Sequence, residues 1–144
     1  MSHDPLRNFK FRVEIDGVSQ SGFNEVIMPA ATVQVIEYRE GNEATQSRKL
    51  SGQTKFGNII LKWGITDSND LYQWWRSVSQ SGAQGNRRNM SVVLVDEEGN
   101  DRVRWNFENA WPVKYESPAL DAEGNDVAME TLEITFERMT RDTH

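Results

Sequence analysis

The chain has 144 residues, a formal net charge of −6 and no cysteine. This length fits one domain with a real hydrophobic core, and the missing cysteines exclude disulfides and thiolate chemistry. An acidic chain is a poor sequence-independent nucleic-acid binder, because phosphate binding depends on Lys and Arg. The longest apolar run falls far short of the roughly 20 residues that a membrane helix needs. The start lacks the apolar segment of a signal peptide, so we expect a soluble chain without membrane insertion.

The first predicted element is a strand over Asn8–Asp16. Apolar and charged side chains alternate along it with a period of two, which is typical of a strand with one buried face. The apolar positions are Phe9, Phe11, Val13 and Ile15, and the charged positions are Lys10, Arg12, Glu14 and Asp16. Asp16 and Gly17 predict a tight turn. A second strand is expected to follow and to stop at Pro29.

The next segments differ sharply in composition. Thr32–Arg39 predicts a third strand, and its poor alternation indicates a strand buried between two layers. Glu40–Asn58 is polar and contains three glycines, so we predict a long loop, and such loops are usually functional or disordered. Two interpretations stay open: a mobile surface loop, or an arm that orders against an acidic partner surface. The contact candidates in this arm are Arg48, Lys49, Leu50, Lys55 and Phe56.

A strand and the one helix are predicted next. Ile59–Ile65 alternates again, as a strand does. Four apolar residues then recur at helical spacing, namely Leu71, Trp74, Trp75 and Val78. With Asp67 or Ser68 as N-cap, we predict a helix over about 68–81 that ends at the following glycines. We expect both tryptophans to be buried against the sheet.

Strands fill the rest of the chain. They are predicted at Met90–Asp96, Arg102–Glu108, Ala110–Glu116 and Val127–Met139. The first two form a hairpin, and Pro112 indicates that the third is bent or lies at a sheet edge. We therefore predict one mainly β domain over residues 1–144. It is an antiparallel β-sandwich or partly closed β-barrel with one α-helix packed against it.

No catalytic, cofactor or metal site is expected. The two histidines lie near the chain ends, at positions 3 and 144, where order is least expected. The acidic run 96–98 lacks the spacing of a calcium loop. Two alternatives stay open beside a structural role. One is a carbohydrate-binding β-sandwich module that uses Trp63, Trp105 or Trp111, and the other is a small β-barrel hydrolase that uses a carboxylate pair such as Glu14 and Glu133.

Several blocks of the chain, in order from Asp4 to Arg138, resemble the tail tube protein family of contractile phages. They are DPLRNFKFRVEIDG, GFNEV, VIEYREGN, RKLSGQTKFGNIILKWG, LYQWWRSV, VLVDEEGNDRVRWNFENAWPVKYESP and METLEITFER. The same family supplies the inner tube of phage-derived contractile injection systems, and the type VI secretion tube protein is a structural relative. The resemblance implies a β-barrel-like fold with one helix and a structural role without enzyme activity.

The resemblance also implies an assembly. Six copies would form a ring, and stacked rings would form a rigid tube around a lumen that passes DNA or effector cargo. Sheath, baseplate and tail-terminator proteins would be partners. Assembly would occur in the cytoplasm, before incorporation into a virion tail or into an extracellular or membrane-anchored injection particle.

Two sets of residues receive roles from this implied assembly. The long polar segment and the basic turn Arg87-Arg88 would contact neighbouring subunits or rings. Charged strand faces would line the lumen, and the candidates are Lys10, Arg12, Glu14, Asp16, Glu133 and Glu137.

Overall fold

The computed structural model describes residues 8–18, 22–39, 41, 48–65, 68–124 and 128–143. Within these residues the chain forms nine strands and one helix. The strands are β1 (Lys10–Ile15), β2 (Phe23–Ile27), β3 (Ala31–Tyr38), β4 (Arg48–Phe56), β5 (Ile59–Gly64), β6 (Arg88–Val95), β7 (Asp101–Glu116), β8 (Met129–Thr135) and β9 (Arg138–Thr143), and the helix is α1 (Asp70–Ser81). All strand pairs are antiparallel, so the prediction of a mainly β, sandwich-like fold is confirmed.

The long strand β7, with 16 residues, belongs to two sheets. Its first half pairs with β6 and β9, and its second half pairs with β8. We call β1-β6-β7-β9 sheet 1 and β2-β5-β8-β7 sheet 2. Asn109 lies where β7 passes between them, with a φ of +56° that Asn adopts more readily than most residues. Its backbone N–H donates to Asn89 Oδ1 at 3.2 Å, which fixes this crossing.

The hydrophobic core lies between the two sheets and extends to α1. The period-two positions of β5 and β8 supply one wall, as their alternation predicts. The fully or nearly fully buried side chains include Ile59, Leu61, Trp63, Leu132 and Ile134 from sheet 2, Met90, Val92 and Phe107 from sheet 1, and Leu71, Trp74 and Val78 from α1. Each large side chain buried in this way contributes about 1.5–3 kcal/mol relative to exposure.

The helix α1 agrees with its predicted spacing but begins later. It starts at Asp70 with Asn69 as N-cap, not at Asp67 or Ser68, and Asp67 lies outside the described residues. It ends at Gly82, whose φ of +84° suits glycine and whose N–H donates to Val78 O at 2.8 Å. Trp74 is buried and its indole N–H donates to Asn86 O at 2.7 Å. Trp75 is only half-buried, so the expected burial holds fully for Trp74 alone.

Two predictions in the middle of the chain are wrong. All eight residues of β3 are exposed, so this strand does not lie between two layers. Within the predicted loop Glu40–Asn58, Arg48–Phe56 forms β4 and pairs with β3, while residues 40 and 42–47 lie outside the described part of the chain. The strand β4 is held by hydrogen bonds to β3 and is exposed along most of its length. Sequence patterning detects a strand by the burial of one face, so it does not detect β4.

The predicted final strand is in fact two strands. Val127–Met139 divides at Phe136 and Glu137, so that β8 lies in sheet 2 and β9 lies in sheet 1. Glu137 N–H donates to Glu108 O at 3.0 Å at this division. The predicted separate strand Ala110–Glu116 instead continues β7, and Pro112 lies beside an irregularity in its pairing with β8.

Candidate assembly surfaces

The strands β3 and β4 form a two-stranded arm that projects from the body. At its base, Gly57 N–H donates to Ala30 O at 2.8 Å, and the ring of Phe56 packs on Phe136 with a centroid distance of 5.3 Å. Among the described residues, the arm pairs with no other strand. A two-stranded ribbon alone is marginally stable in water. We therefore treat the arm as a candidate surface for contact with a partner.

Apolar side chains are exposed on both faces of the arm. One face, which we call the Ile36 face, carries Ile36 opposite Leu50 and Tyr38 opposite Arg48. Ile36 and Leu50 are 44% and 52% exposed. The other face, the Val35 face, carries the exposed Val33 and Val35. Clusters of exposed apolar residues mark interaction surfaces more often than single ones do.

The sequence-predicted contact residues of the arm are brought together on β4. Arg48, Lys49, Leu50 and Lys55 are all exposed there. Phe56 is different, because it is half-buried and packs against the core. It therefore anchors the arm to the body and is not displayed to a partner.

The two arginines of the basic turn contact groups of their own subunit. Arg88 Nη1 donates to Asp16 O at 2.9 Å, and its guanidinium lies 5.4 Å from the centroid of the Trp74 ring. Arg87 Nη1 donates to Glu137 Oε1, while Asn109 Nδ2 donates to Glu137 Oε2 at 3.0 Å. These contacts connect the start of β6 to Asp16, Trp74 and Glu137 of the same subunit. A second subunit that contacts Arg87 or Arg88 would therefore meet guanidinium groups that already have partners.

The outer face of sheet 1 carries an ion-pair network. Arg12 Nε lies 2.7 Å from Glu14 Oε2, Arg12 Nη2 lies 3.0 Å from Asp101 Oδ2, and Arg104 Nη1 lies 2.9 Å from Glu14 Oε1. Hydrogen bonds from Arg104 and then Arg12 hold the pKa of Glu14 below its ordinary value. The pKa of Arg12 is raised by its hydrogen bonds to Asp101 and Glu14. These side chains surround Val93, which is fully buried on this otherwise charged face.

The outer face of sheet 2 carries a depression. All four of its strands line a depression of about 200 Å³, formed by Ile27, Ile60, Lys62, Lys114, Glu116, Thr131 and Glu133. Lys114 Nζ lies 2.7 Å from Glu116 Oε1, which raises the pKa of Lys114 and lowers that of Glu116. Asn58 Nδ2 donates to Glu133 Oε2 at 2.8 Å. Most charges on this face are therefore already partnered.

Sequence reasoning missed an apolar groove at the open end of the sandwich. Its lining residues are Phe9, Phe11, Val26, Met28, Val92, Leu94 and Trp105, around about 280 Å³. The alternation in β1 predicts that this strand has an apolar face. It cannot show that sheet 2 ends before it covers the part of that face that carries Phe9 and Phe11. Ile15 is buried, whereas Phe9 is 53% exposed.

The family model of the T4-like virus tail tube protein gp19 matches residues 7–140. The chain belongs to this tail tube family. No curated protein sequence matches this tail tube protein.

Solved structures place the tail tube protein among contractile injection systems. A chain in the extended sheath–tube complex of PVC, an extracellular contractile injection system, is similar with 26% identity and a TM-score of 0.84, over 99% of this chain and 94% of that one. A chain in the tube-terminating cap of the anti-feeding prophage has 25% identity and a TM-score of 0.84, over 100% and 95%. Hcp1 from Flavobacterium johnsoniae shares the fold, with 18% identity and a TM-score of 0.55 over 93% and 95%.

The structure separates the six lumen candidates of this tail tube protein. Lys10, Arg12 and Glu14 lie on the outer face of sheet 1, and Asp16 lies in the turn that follows. Glu133 lies on the outer face of sheet 2, and Glu137 lies between β8 and β9. Because the core fills the space between the sheets, their outer faces point in opposite directions. One lumen cannot be lined by both faces.

The residues named for the two alternative functions are not arranged for those roles. Trp63 and Trp74 are buried, and the other three tryptophans are half-buried, so the described residues offer no patch of exposed indoles for a sugar. Glu14 and Glu133 lie on opposite faces and cannot act as a catalytic pair. The described residues contain no group of three or more acidic or histidine side chains that could hold a metal, and none of their helices has the length and apolarity to span a membrane. Both histidines lie outside them.

Proposed function

We propose that this protein is the structural subunit of the inner tube of a contractile apparatus, and that all 144 residues form one tail-tube domain. Six copies form a ring, and stacked rings form a conduit for DNA or effector cargo. The observation that carries this proposal is the exposed arm, whose apolar side chains have no cover within the described part of their own subunit. Family membership supports the same conclusion.

The arm also suits the symmetry of a ring. The arm and the body are different surfaces, so a contact between them is head-to-tail and closes into a ring or continues as a filament. Sheet 2 has four alternating strands, and its outer strands, β2 and the second half of β7, run in opposite directions. An antiparallel sheet therefore continues from β7 of one copy to β2 of the next without a change of pattern.

The outer face of sheet 2 lines the lumen in this proposal. A sheet that continues from copy to copy can close into a barrel, and Glu133 is the lumen candidate that lies on this face. Lys62 faces Glu25 at 3.8 Å, and Lys114 faces Glu116 at 2.7 Å, so Glu133 gives the face a slight negative excess. Such a surface repels DNA phosphate weakly and offers cargo few unpaired charges to bind. The ion-pair network of sheet 1 then faces outward, toward the sheath.

The partners in this proposal come from the assemblies in which similar chains are found. These are a sheath–tube complex, a tube-terminating cap and a baseplate. We infer that this chain contacts a sheath, a baseplate and a terminator, and that it makes and breaks no covalent bond. It assembles in the cytoplasm and then becomes part of a virion tail or an extracellular or membrane-anchored injection particle.

Electron microscopy and sedimentation velocity test this proposal. The purified chain is imaged over a series of concentrations, alone and with its sheath protein. We expect annular particles with six subunits that stack into tubes, and a sedimentation coefficient that rises with concentration. A monomer at every concentration, with no annular particle in the presence of the sheath protein, would contradict the proposal.

A further inference from the structure

We propose that the Ile36 face of the arm of one copy docks in the apolar groove of a second copy. This inference rests on the proposed function, because the arm of one copy meets the groove of another only when the copies assemble. The groove is the one lined by Phe9, Phe11, Val26, Met28, Val92, Leu94 and Trp105.

The groove suits side chains of a protein better than a small ligand. All seven lining residues are apolar or aromatic, so the site offers almost nothing to orient a polar molecule. Its volume of about 280 Å³ lies below the ~300–1,000 Å³ of most small-molecule pockets. A few aliphatic or aromatic side chains fill such a space and remove the exposed ring of Phe9 from water.

The arm supplies side chains of this kind at a suitable distance. Ile36, Tyr38 and Leu50 lie together on one face, near the end of the arm that is remote from the body. The eight residues of β3 span roughly 26 Å at about 3.3 Å per residue. The arm is therefore long enough to hold this apolar cluster well away from its base.

Within the described part of the chain, no residue of the arm lines the groove of its own subunit. Met28 lines the groove and β3 begins at Ala31, so the arm leaves the body close to the groove and carries Ile36 away from it. In the isolated subunit the Ile36 face is exposed and the groove is open. Each copy thus gives one arm and receives another, which is the head-to-tail arrangement that a ring or a stack of rings requires.

Charge complementarity supports the second copy as the occupant. The turn between β6 and β7 borders the groove, since Leu94 lines it and Asn8, next to Phe9, donates to Glu97 Oε1 at 2.9 Å. Glu97 and Glu98 are exposed in this turn. On the arm, Arg48 lies opposite Tyr38 on the Ile36 face, beside the apolar cluster, whereas Lys49 lies opposite Glu37 on the Val35 face. Opposite charges at the rim of an interface steer encounter and fix register.

Disulfide cross-linking tests the docking directly, because the natural chain has no cysteine. The variant Ile36→Cys with Leu94→Cys is assembled into tubes and then oxidised. We expect a ladder of cross-linked subunits on a non-reducing gel. The matched control, Val35→Cys with Leu94→Cys, places the thiol on the opposite face of the arm and is expected to give about tenfold fewer cross-links, the difference that 1.4 kcal/mol produces in an equilibrium.

Charge exchange tests the orientation of the docked arm. We expect Arg48→Glu, and separately Glu97→Lys with Glu98→Lys, to weaken association about tenfold in sedimentation equilibrium. The combination of all three substitutions should restore it. Glu123→Lys, an exposed charge in another turn, is the control and is expected to leave association unchanged.

The outcomes separate this docking from the proposed function. Tubes that form normally but give neither the cross-link nor the charge rescue would overturn the docking and leave the tube function in place. A cross-link within single subunits at high dilution would also overturn it, because the arm would then reach its own groove. Wild-type protein that never forms annular particles would overturn the tube function and the docking together.

Discussion

Arg104 on β7 donates a hydrogen bond to Glu14 on β1 at 2.9 Å, across the intervening strand β6. Arg12 and Asp101 extend this contact into a network that covers Val93. Two of the charged residues that alternate along β1, Arg12 and Glu14, therefore have partners within the subunit. Sheet 1 can face solvent or a sheath without another copy to complete it, whereas the arm cannot.

The first prediction concerns Glu14 and pH. Its pKa is lowered by Arg104 and Arg12, so its contribution to stability is present above the unfolded pKa of about 4.3 and is lost as pH falls through the lowered folded pKa. Glu14→Gln should cost about 0.2–1 kcal/mol at pH 7, since the pairs are partly exposed and screened. Calorimetry should show the melting temperatures of wild type and variant converging in acid. Glu98→Gln, in an exposed turn, is the control, and a difference that widens in acid would refute this account.

The second prediction compares two adjacent tryptophans. Trp74 is buried and hydrogen-bonded to Asn86 O, so Trp74→Ala should cost about 3–5 kcal/mol of unfolding free energy. Trp75 is half-buried, and Trp75→Ala should cost clearly less. Urea unfolding followed by circular dichroism measures both. Equal losses from the two substitutions would show that the assignment of the helix face is wrong.

The third prediction concerns the edge strand β1. Asp16 N–H donates to Asn89 O at 3.1 Å, which fixes the phase of the ladder between β1 and β6. The N–H of Glu14 therefore points toward β6, and the N–H of Val13 points away from it. Glu14→Pro should be less stable than Glu14→Ala by at least about 1 kcal/mol, the net value of one hydrogen bond.

Val13 is the matched position for this test. Because the N–H of Val13 points away from β6, a proline there removes no hydrogen bond of the ladder. Val13→Pro and Val13→Ala should therefore differ less in melting temperature than the two Glu14 variants do. A larger proline penalty at Val13 than at Glu14 would mean that the ladder has the opposite phase.

Sequence patterns predict well the elements that bury one face. The period-two positions of β5 and the helical spacing around Trp74 report contact with the core, and family resemblance then gives the overall fold. Patterning fails for β4, because a strand exposed on both faces leaves no alternation to detect. It also fails at Phe136, which stays buried while the chain changes from sheet 2 to sheet 1.

The same limit applies to the assembly surfaces. The basic residues of the arm are visible in the sequence, but the groove depends on where sheet 2 ends relative to β1, which is a relation between distant segments. Arg87 and Arg88 are equally visible in the sequence. Their actual contacts with Glu137 and Trp74 depend on tertiary packing that no local pattern encodes.

The fourth prediction removes the arm. Thr32 and Lys55 are opposite each other near its base, and Thr32 Oγ1 donates to Lys55 O at 3.4 Å. Replacing residues 33–54 by Asn-Gly should close a type I′ hairpin and keep Phe56 packed on Phe136. Because the excised strand residues bury little in the body, the melting temperature should change by only a few degrees, the shift that about 1 kcal/mol produces in a domain of this size.

Assembly of this shortened variant should nevertheless be lost. Negative-stain images and sedimentation velocity should show monomers under conditions in which the wild type forms tubes. A milder variant, Ile36→Ser with Leu50→Ser, keeps the arm but removes two apolar side chains from the Ile36 face. It should also weaken assembly, by less than removal of the arm does. Val33→Ser with Val35→Ser, on the opposite face, is its matched control. Tubes of normal length from the shortened variant would mean that the exposed arm has no part in building the tube.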